Sequence, residues 1–383
     1  MNLFKILVAF SKADKSLFDI PVDVQKRFLE SQPEPHTLSD RSYNQYKAQM
    51  LFVPGWKCAI QNIVAFLALP FAIVYLLIKS CNTKRGECID AIGEFKGLEE
   101  TVPTSLTERY TINNDVWDSG KSLTVNDLGF ILRLGLFRQP FFVLKTAFKV
   151  ALYSHSIRAH TPNAIIVHNE YSFTSSALTE YCHKHGVKHI NAMHGEKLFY
   201  IRDSWFQYDE CYVWDKHYVN LFVDMKACPE QFLIEVPYGV KIDLDRYSNK
   251  EFYADFKYYL GIYSEKEIET IVNSLKSIKD KGFSVKFRPH PFYSDIALLK
   301  RFVDETEIES PAISIMCSIS NTGYVIGSYS TVLNQAYYSG RRIVLDDITY
   351  IEQYNKLKSL NYILNNKCSI RLSELQKETD YYE

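Results

Sequence analysis

Short apolar runs alternate with helix-length stretches in two separate blocks of the chain. That rhythm restricts the fold to parallel α/β architecture, because a strand followed by a helix and another strand closes as a crossover unit. In the first block, residues 164–168 (AIIVH) read as a buried strand and 173–185 as a helix stopped by Gly186. Strands are expected at 187–193 and 208–214, and an earlier one within 88–95. In the second block, 258–262 is the expected first strand. Ser264 then opens a helix with Glu267 three residues on as a capping box. Ile268, Ile271, Val272, Leu275 and Ile278 share one face of that helix. Strands follow at 283–287, 312–316, 324–326 and 342–345. Helices are expected at 295–303 and at 330–339, the latter ended by Gly340.

Between the blocks, residues 236–250 (VPYGVKIDLDRYSNK) are rich in turn formers and read as a linker. The expected organisation is an N-terminal region over 1–85, one doubly wound domain over 86–245 and a second over 246–383. Two such domains would face a cleft at the carboxyl ends of their strands, where α/β proteins bind ligands.

Two stretches fit this scheme less directly. Residues 128–152 predict one or two amphipathic helices broken near Pro140. Residues 58–78 are apolar apart from Gln61, Asn62 and Pro70, with Trp56 and Lys57 before them and Lys79, Lys84 and Arg85 after. Their length approaches the roughly 20 residues that span a bilayer. They fit a buried helix or hairpin, a helix lying in a membrane interface, or a span. Met1 to Phe10 is mostly apolar, but Lys12, Asp14 and Lys15 follow without a cleavage pattern, so no secretory signal is expected.

Charge excludes one broad class. The formal net charge of −1 offers no basic surplus for phosphate backbones, so nucleic acid is not an expected partner. The eight cysteines (58, 81, 88, 182, 211, 228, 317 and 368) form no C-x-x-C pair and read as reduced cytosolic thiols. Aromatic residues make up 14% of the chain, which suits a core and also a sugar-binding cleft.

The chemistry-bearing motifs cluster after strands. Arg288-Pro289-His290-Pro291 follows the 283–287 strand. Its arginine and histidine can both donate to a phosphate, and the histidine can also supply a proton to a leaving oxygen. Gly327-Ser328-Tyr329-Ser330-Thr331 joins a strand to a helix, with Ser330 placed to cap it and backbone amides facing an anion. Tyr263 and Ser264, after the second block's first strand, are further donor-side candidates. In the first block, His168-Asn169-Glu170-Tyr171 and His194-Gly195-Glu196-Lys197 follow successive strands and offer carboxylates and imidazoles as proton acceptors. Asp243-Leu244-Asp245 lies in the linker, and Gly186 interrupts the His183, His185 and His189 group, so no metal is assigned. P-loop, dinucleotide and nucleophile-elbow fingerprints are absent.

Together these motifs resemble those of GT-B glycosyltransferases that build bacterial surface glycans. The likeness is greatest to sialic-acid and Kdo transferases, with similarity to polyol-phosphate transferases of teichoic-acid synthesis. His290-Pro291 and Ser330-Thr331 resemble the motifs that hold the CMP part of the donor, and His194-Gly195 resembles the teichoic-acid enzymes' His-Gly turn. The likeness covers about residues 160–350. The sialyltransferases' acidic Asp-Gly motif is not evident, so Glu170 or Glu196 would replace it.

The resemblance implies two Rossmann-like domains facing a cleft, with an atypical helical, apolar N-terminal region. It implies a metal-independent transferase of capsule, O-antigen or lipooligosaccharide synthesis, with no cofactor beyond the nucleotide sugar as co-substrate. Arg288, His290, Ser328, Ser330, Thr331, Tyr263 and Ser264 would bind the donor. Glu170, Glu196 and His194 would serve catalysis on a glycan or lipid-linked acceptor at the inner face of the cell membrane. A polyol-phosphate transferase, a nucleotide-sugar epimerase of the same fold and a non-catalytic assembly scaffold are the alternatives.

Overall fold

The computed structural model describes residues 20–80, 85–117, 120–135, 138–367 and 370–375. Met1 to Lys15, read above for a secretory signal, and Lys84, Cys81 and Cys368 lie outside the described residues. The chain divides into two compact units. The first holds residues 1–194 and 199–235, and the second 195–198 and 236–383.

The first unit contains a six-stranded sheet built from β1 (Ala91–Gly93), β2 (Ile112–Asn113), β3 (Ala164–Val167), β4 (Lys188–Ala192), β5 (Glu210–Val213) and β6 (Phe232–Ile234). The order is β2-β1-β3-β4-β5-β6, with every pair parallel. Ala91, Ala164, Ile166, Ile190 and Ala192 form its core with Phe95 and Leu106. Because β1 has β2 on one side and β3 on the other, the winding reverses there. Loops leaving β1 and β3 diverge and open a crevice.

The second unit repeats the plan. Strands β7 (Ala254–Tyr259), β8 (Val285–Arg288), β9 (Thr322–Gly327), β10 (Arg342–Leu345) and β11 (Ile370–Arg371) form an all-parallel sheet ordered β11-β10-β9-β7-β8. Its winding reverses between β7 and β9. The helix Glu265–Asp280 carries the expected capping box and buries Ile268, Ile271, Leu275 and Ile278 against Phe256, Val285 and Phe287. Both units are therefore doubly wound parallel α/β sheets, the fold class expected.

Two strand expectations are corrected. The first strand of the second unit is Ala254–Tyr259, earlier than residues 258–262. Residues 312–316 form no strand: Ser314 accepts from the Cys317 N–H at 3.2 Å and caps the helix Ile315–Ser320. A serine that satisfies an orphan amide starts a helix where apolar content alone suggested β.

The break near Pro140 is a helix start. Pro140 is the first residue of the helix Pro140–His160, where its missing N–H costs nothing. That helix is buried on nearly all sides, as an apolar helix without a polar face must be. Residues 58–78 form one continuous helix, Gly55–Ser80, packed along it.

On the sheet side, the Tyr153 hydroxyl meets His189 Nε2 at 2.9 Å, and Thr179 Oγ1 meets Nδ1 at 2.8 Å. His189 is fully buried, and burial, reinforced by nearby His183 and Lys149, pushes its pKa down to about 3. An unfolded histidine titrates near 6.5, so between those values the unfolded chain holds the extra proton. This residue's contribution is complete above pH 6.5 and falls as pH drops towards 3. Urea unfolding should show the protein losing about 2 kcal/mol more between pH 7 and pH 5 than a His189→Gln variant. Equal losses would mean His189 does not titrate this way.

Candidate functional site

The end of β7 and the end of β9 flank the second unit's reversal point, and a cavity of about 570 Å³ opens there. Its lining comes from residues 258–262, from Arg288-Pro289-His290-Pro291 and Tyr293, and from Ser328-Tyr329-Ser330 and Val332. Ile315, Tyr350 and Gln353 complete it. Two motifs about 40 residues apart in sequence thus meet in one pocket, because parallel strands deliver their following loops to the same sheet edge.

The backbone of the Arg-Pro-His-Pro turn is tied down locally. The His290 N–H donates to Ser294 Oγ at 2.8 Å, and that hydroxyl donates to the Gly261 carbonyl at 2.7 Å, joining the turn to the end of β7. The Phe292 N–H donates to His290 Nδ1 at 3.2 Å. An accepting Nδ1 assigns the neutral ring's proton to Nε2, so Nε2–H is the donor this imidazole offers. Tyr293 stacks on the ring with centroids 4.4 Å apart, holding its plane.

Ser330 has the extended backbone of a helix N-cap before Thr331–Tyr338, but its side chain makes no capping bond. This corrects the expectation that its hydroxyl caps the helix. The buried Oγ has no hydrogen-bond partner among the described residues. A buried hydroxyl without a partner costs about 1–3 kcal/mol, which a bound acceptor or donor would recover. Ser328 Oγ donates to Gln353 Oε1 at 3.0 Å. Thr331 is the first helical residue and is exposed.

Arg288 differs from the expected phosphate fork. It is the last residue of β8, and its Nη1 donates to Glu309 Oε2 at 2.6 Å while Nη2 donates to the Ile313 carbonyl at 2.6 Å. Glu309 also accepts from Lys257 Nζ at 2.6 Å, and Ser318 Oγ donates to it. Lys257 has no exposed side-chain surface. Burial lowers its pKa despite the carboxylate, whereas Lys257, Ser318 and Arg288 hold the Glu309 carboxyl below its usual range against the opposing effect of burial. Lys257 and Arg288 thus share the Glu309 carboxylate, and of the three only Arg288 lines the pocket, where the buried Asp346 carboxylate accepts from the Tyr258 hydroxyl.

Tyr263 and Ser264 are not in the lining. The Tyr263 hydroxyl donates to the Asp295 carbonyl at 2.5 Å, and Ser264 caps its helix. Glu196 belongs to the short segment that groups with the second unit. Its carboxylate lies near Tyr329 and adds to the burial that raises that phenol to about 12.

In the first unit, the loops after β1, β3 and β4 gather Glu94, His168, Asn169, Glu170 and His194. Asn169 Nδ2 donates to Glu94 Oε2, and Asn191 Nδ2 donates to Glu170 Oε2 at 3.3 Å. Glu170, expected first as the base, has a side chain only 1% exposed, so it does not meet solvent or a substrate directly. His194 stands in front of it. Its Nδ1 is 4.0 Å from Glu170 Oε1, its side chain is 28% exposed, and its ring lies edge-on to His168 at 4.6 Å. At 4.0 Å, Nδ1 lies beyond hydrogen-bond distance of that carboxylate. Among the described residues no group of three His, Cys, Asp or Glu side chains is placed to hold a metal ion.

Several lining residues escaped the sequence. Gly261 and Ile262 would have followed from the correct end of β7, by the rule that places sites after parallel strands. Tyr350 and Gln353, at the start of the helix Ile351–Ser359, carry no local signal.

No family model matches this sequence, and no curated protein sequence matches it. Solved structures do resemble it in shape. The kitacinnamycin glycotransferase has a TM-score of 0.44 at 10% identity, covering 76% of this chain and 89% of that one. A glycosyltransferase from Rickettsia africae has a TM-score of 0.43 at 10% identity, covering 78% and 88%. A protein assigned as a UDP-N-acetylglucosamine 2-epimerase from Listeria monocytogenes has a TM-score of 0.43 at 10% identity, covering 71% and 82%. At such values, function rests on the chemistry of the site itself.

Proposed function

We propose that the protein is a glycosyltransferase that uses a nucleotide-activated sugar. One observation carries this reading. His290, with Nε2–H as its donor, and Ser330, with an unbonded buried hydroxyl, share one cavity at the reversal point of a parallel sheet. That is a cradle for a phosphorylated ligand, and Tyr293, Tyr329 and Ile262 give it apolar walls for a base or sugar. Fixed donors stabilise a departing phosphate without a metal. The resemblance of His290-Pro291 and Ser330-Thr331 to CMP-holding motifs makes a CMP-activated acid sugar the first donor to test. On this reading the first unit binds a glycan acceptor in surface-polysaccharide synthesis, at the cytoplasmic side of the cell membrane.

Thermal unfolding with CMP, CDP, UDP, GDP and ADP, first without and then with Mg²⁺, tests the donor class. A nucleotide at 100 times its Kd adds about 2.7 kcal/mol, readily seen as a rise in Tm. We expect CMP to stabilise the protein and His290→Ala to abolish the shift. Stabilisation by UDP or GDP alone would retain a nucleotide site and discard the CMP donor. No stabilisation by any nucleotide or activated sugar would refute the transferase reading.

A further inference from the structure

The helix Gly55–Ser80 turns its polar interruptions towards the protein and its large apolar side chains outward. Gln61 is buried, with Ala65, Leu69 and Leu76. Asn62 Oδ1 accepts from the Phe141 N–H at 3.1 Å, and its Nδ2 donates to Gln139 Oε1 at 3.1 Å, fixing the helix to the start of Pro140–His160. At the other end, the Leu123 N–H donates to the Leu76 carbonyl at 3.0 Å, and Arg158 Nη1 donates to Ser80 Oγ at 3.2 Å. On the opposite side, Trp56, Ile60, Ile63, Phe66, Leu67, Phe71, Val74, Tyr75 and Ile78 are all exposed, Phe66 and Phe71 at 67% and 78%. From Trp56 to Ile78 this strip runs about 33 Å at 1.5 Å per residue, more continuous apolar surface than a monomer ordinarily shows to water.

Charge selects the occupant. The helix contains no Asp or Glu, and its cations stand at the two ends, Lys57 beside Trp56 and Lys79 beside Tyr75, each ammonium within 6 Å of a ring centroid. A second copy laid antiparallel would bring Lys57 against Lys79. A parallel copy would bring each lysine against itself. Neither offers a compensating carboxylate on the strip. An anionic lipid surface complements both ends at once, and the amphipathic tryptophan and tyrosine suit its headgroup layer. Anchors at both ends argue against a span, because a helix crossing the bilayer would have to abandon them.

We propose that the outward face of Gly55–Ser80 docks the protein in the plane of an anionic bilayer surface, as a monotopic contact. This inference stands independently of the nucleotide site.

Flotation of the full-length protein with vesicles tests it, using phosphatidylcholine alone and an equal mixture with phosphatidylglycerol. The wild-type protein should float with the mixed vesicles. Phe66→Glu with Phe71→Glu should reduce the floating fraction at least about tenfold, both positions being exposed and therefore tolerant in folding. Lys57→Glu with Lys79→Glu should weaken binding to the mixed vesicles about fivefold or more per lysine and affect phosphatidylcholine binding less. Far-UV circular dichroism confirms that each variant is folded. Three results would overturn the proposal: folded wild-type protein left unbound by both vesicles, a dimer in sedimentation that Phe66→Glu with Phe71→Glu dissociates while vesicle binding persists, or retention in cell membranes through alkaline extraction, which marks a span.

Discussion

Replacing Glu309 with alanine is expected to destabilise the second unit by about 3–5 kcal/mol, because it leaves Lys257 and Arg288 buried without their shared carboxylate. The cost is not the energy of two salt bridges. It is the desolvation of two cations that water no longer reaches and that no other carboxylate compensates. The control is therefore to remove the cations as well. Lys257→Met with Arg288→Met and Glu309→Leu should recover most of the loss, since apolar groups of similar volume often replace a buried ionic group at little cost. Urea denaturation of the three proteins measures this. A Glu309→Ala loss below about 1 kcal/mol would mean that water or backbone relaxation relieves the cations. The triple variant should nevertheless bind nucleotide poorly, because it removes Arg288, which lines the pocket and ties the Ile313 carbonyl. The network thus links stability to the site: Arg288, which holds β8 to the loop carrying Glu309, also lines the cavity.

This network also explains why one strand was misplaced from the sequence. Lys257 lies in the middle of β7, and a lysine there reads as a surface residue, which moved the expected strand onto the apolar residues after it. Its partner Glu309 is 52 residues away, and nothing local announces the pair. What was legible follows local rules: Gly186 and Gly340 ending helices, Ser264 and Glu267 beginning one, and β10 emerging where the apolar run stood. The loops that line the cavity were legible for the same reason, since strand ends position them. Side-chain commitments were not. Whether Ser330 caps its helix, whether Arg288 is already paired and whether Glu170 sees solvent depend on neighbours brought in by the fold. The apolar helix carries the same lesson inverted. Gln61 and Asn62 looked like breaks in a membrane segment, yet they are the groups that attach it to the protein.

On the proposed transferase reading, with His194 as general base, His194→Ala is expected to reduce sugar transfer by about 10²–10⁴-fold, the usual contribution of such a group. Attack by an acceptor hydroxyl on the anomeric carbon forms one C–O bond and breaks the bond to the donor phosphate, whose oxygen leaves with the electron pair. On the proposed reading the hydroxyl proton needs an acceptor, and we propose the partly exposed His194 for it. Glu170, buried 4.0 Å from its Nδ1, would then stabilise the imidazolium as a buried carboxylate does for a histidine base. On that reading Glu170 is a positioning residue. Glu170→Gln preserves its shape and its contact with Asn191 but removes the charge, so its loss should be smaller than that of His194→Ala. The assay follows release of the nucleotide identified by the thermal panel, with glycan as acceptor. Both variants should keep their Tm and their nucleotide-induced shift, which separates loss of proton transfer from loss of fold or donor. If His194→Ala transfers sugar at the wild-type rate, the proton goes elsewhere. If Glu170→Gln transfers sugar at the wild-type rate, the carboxylate serves packing alone.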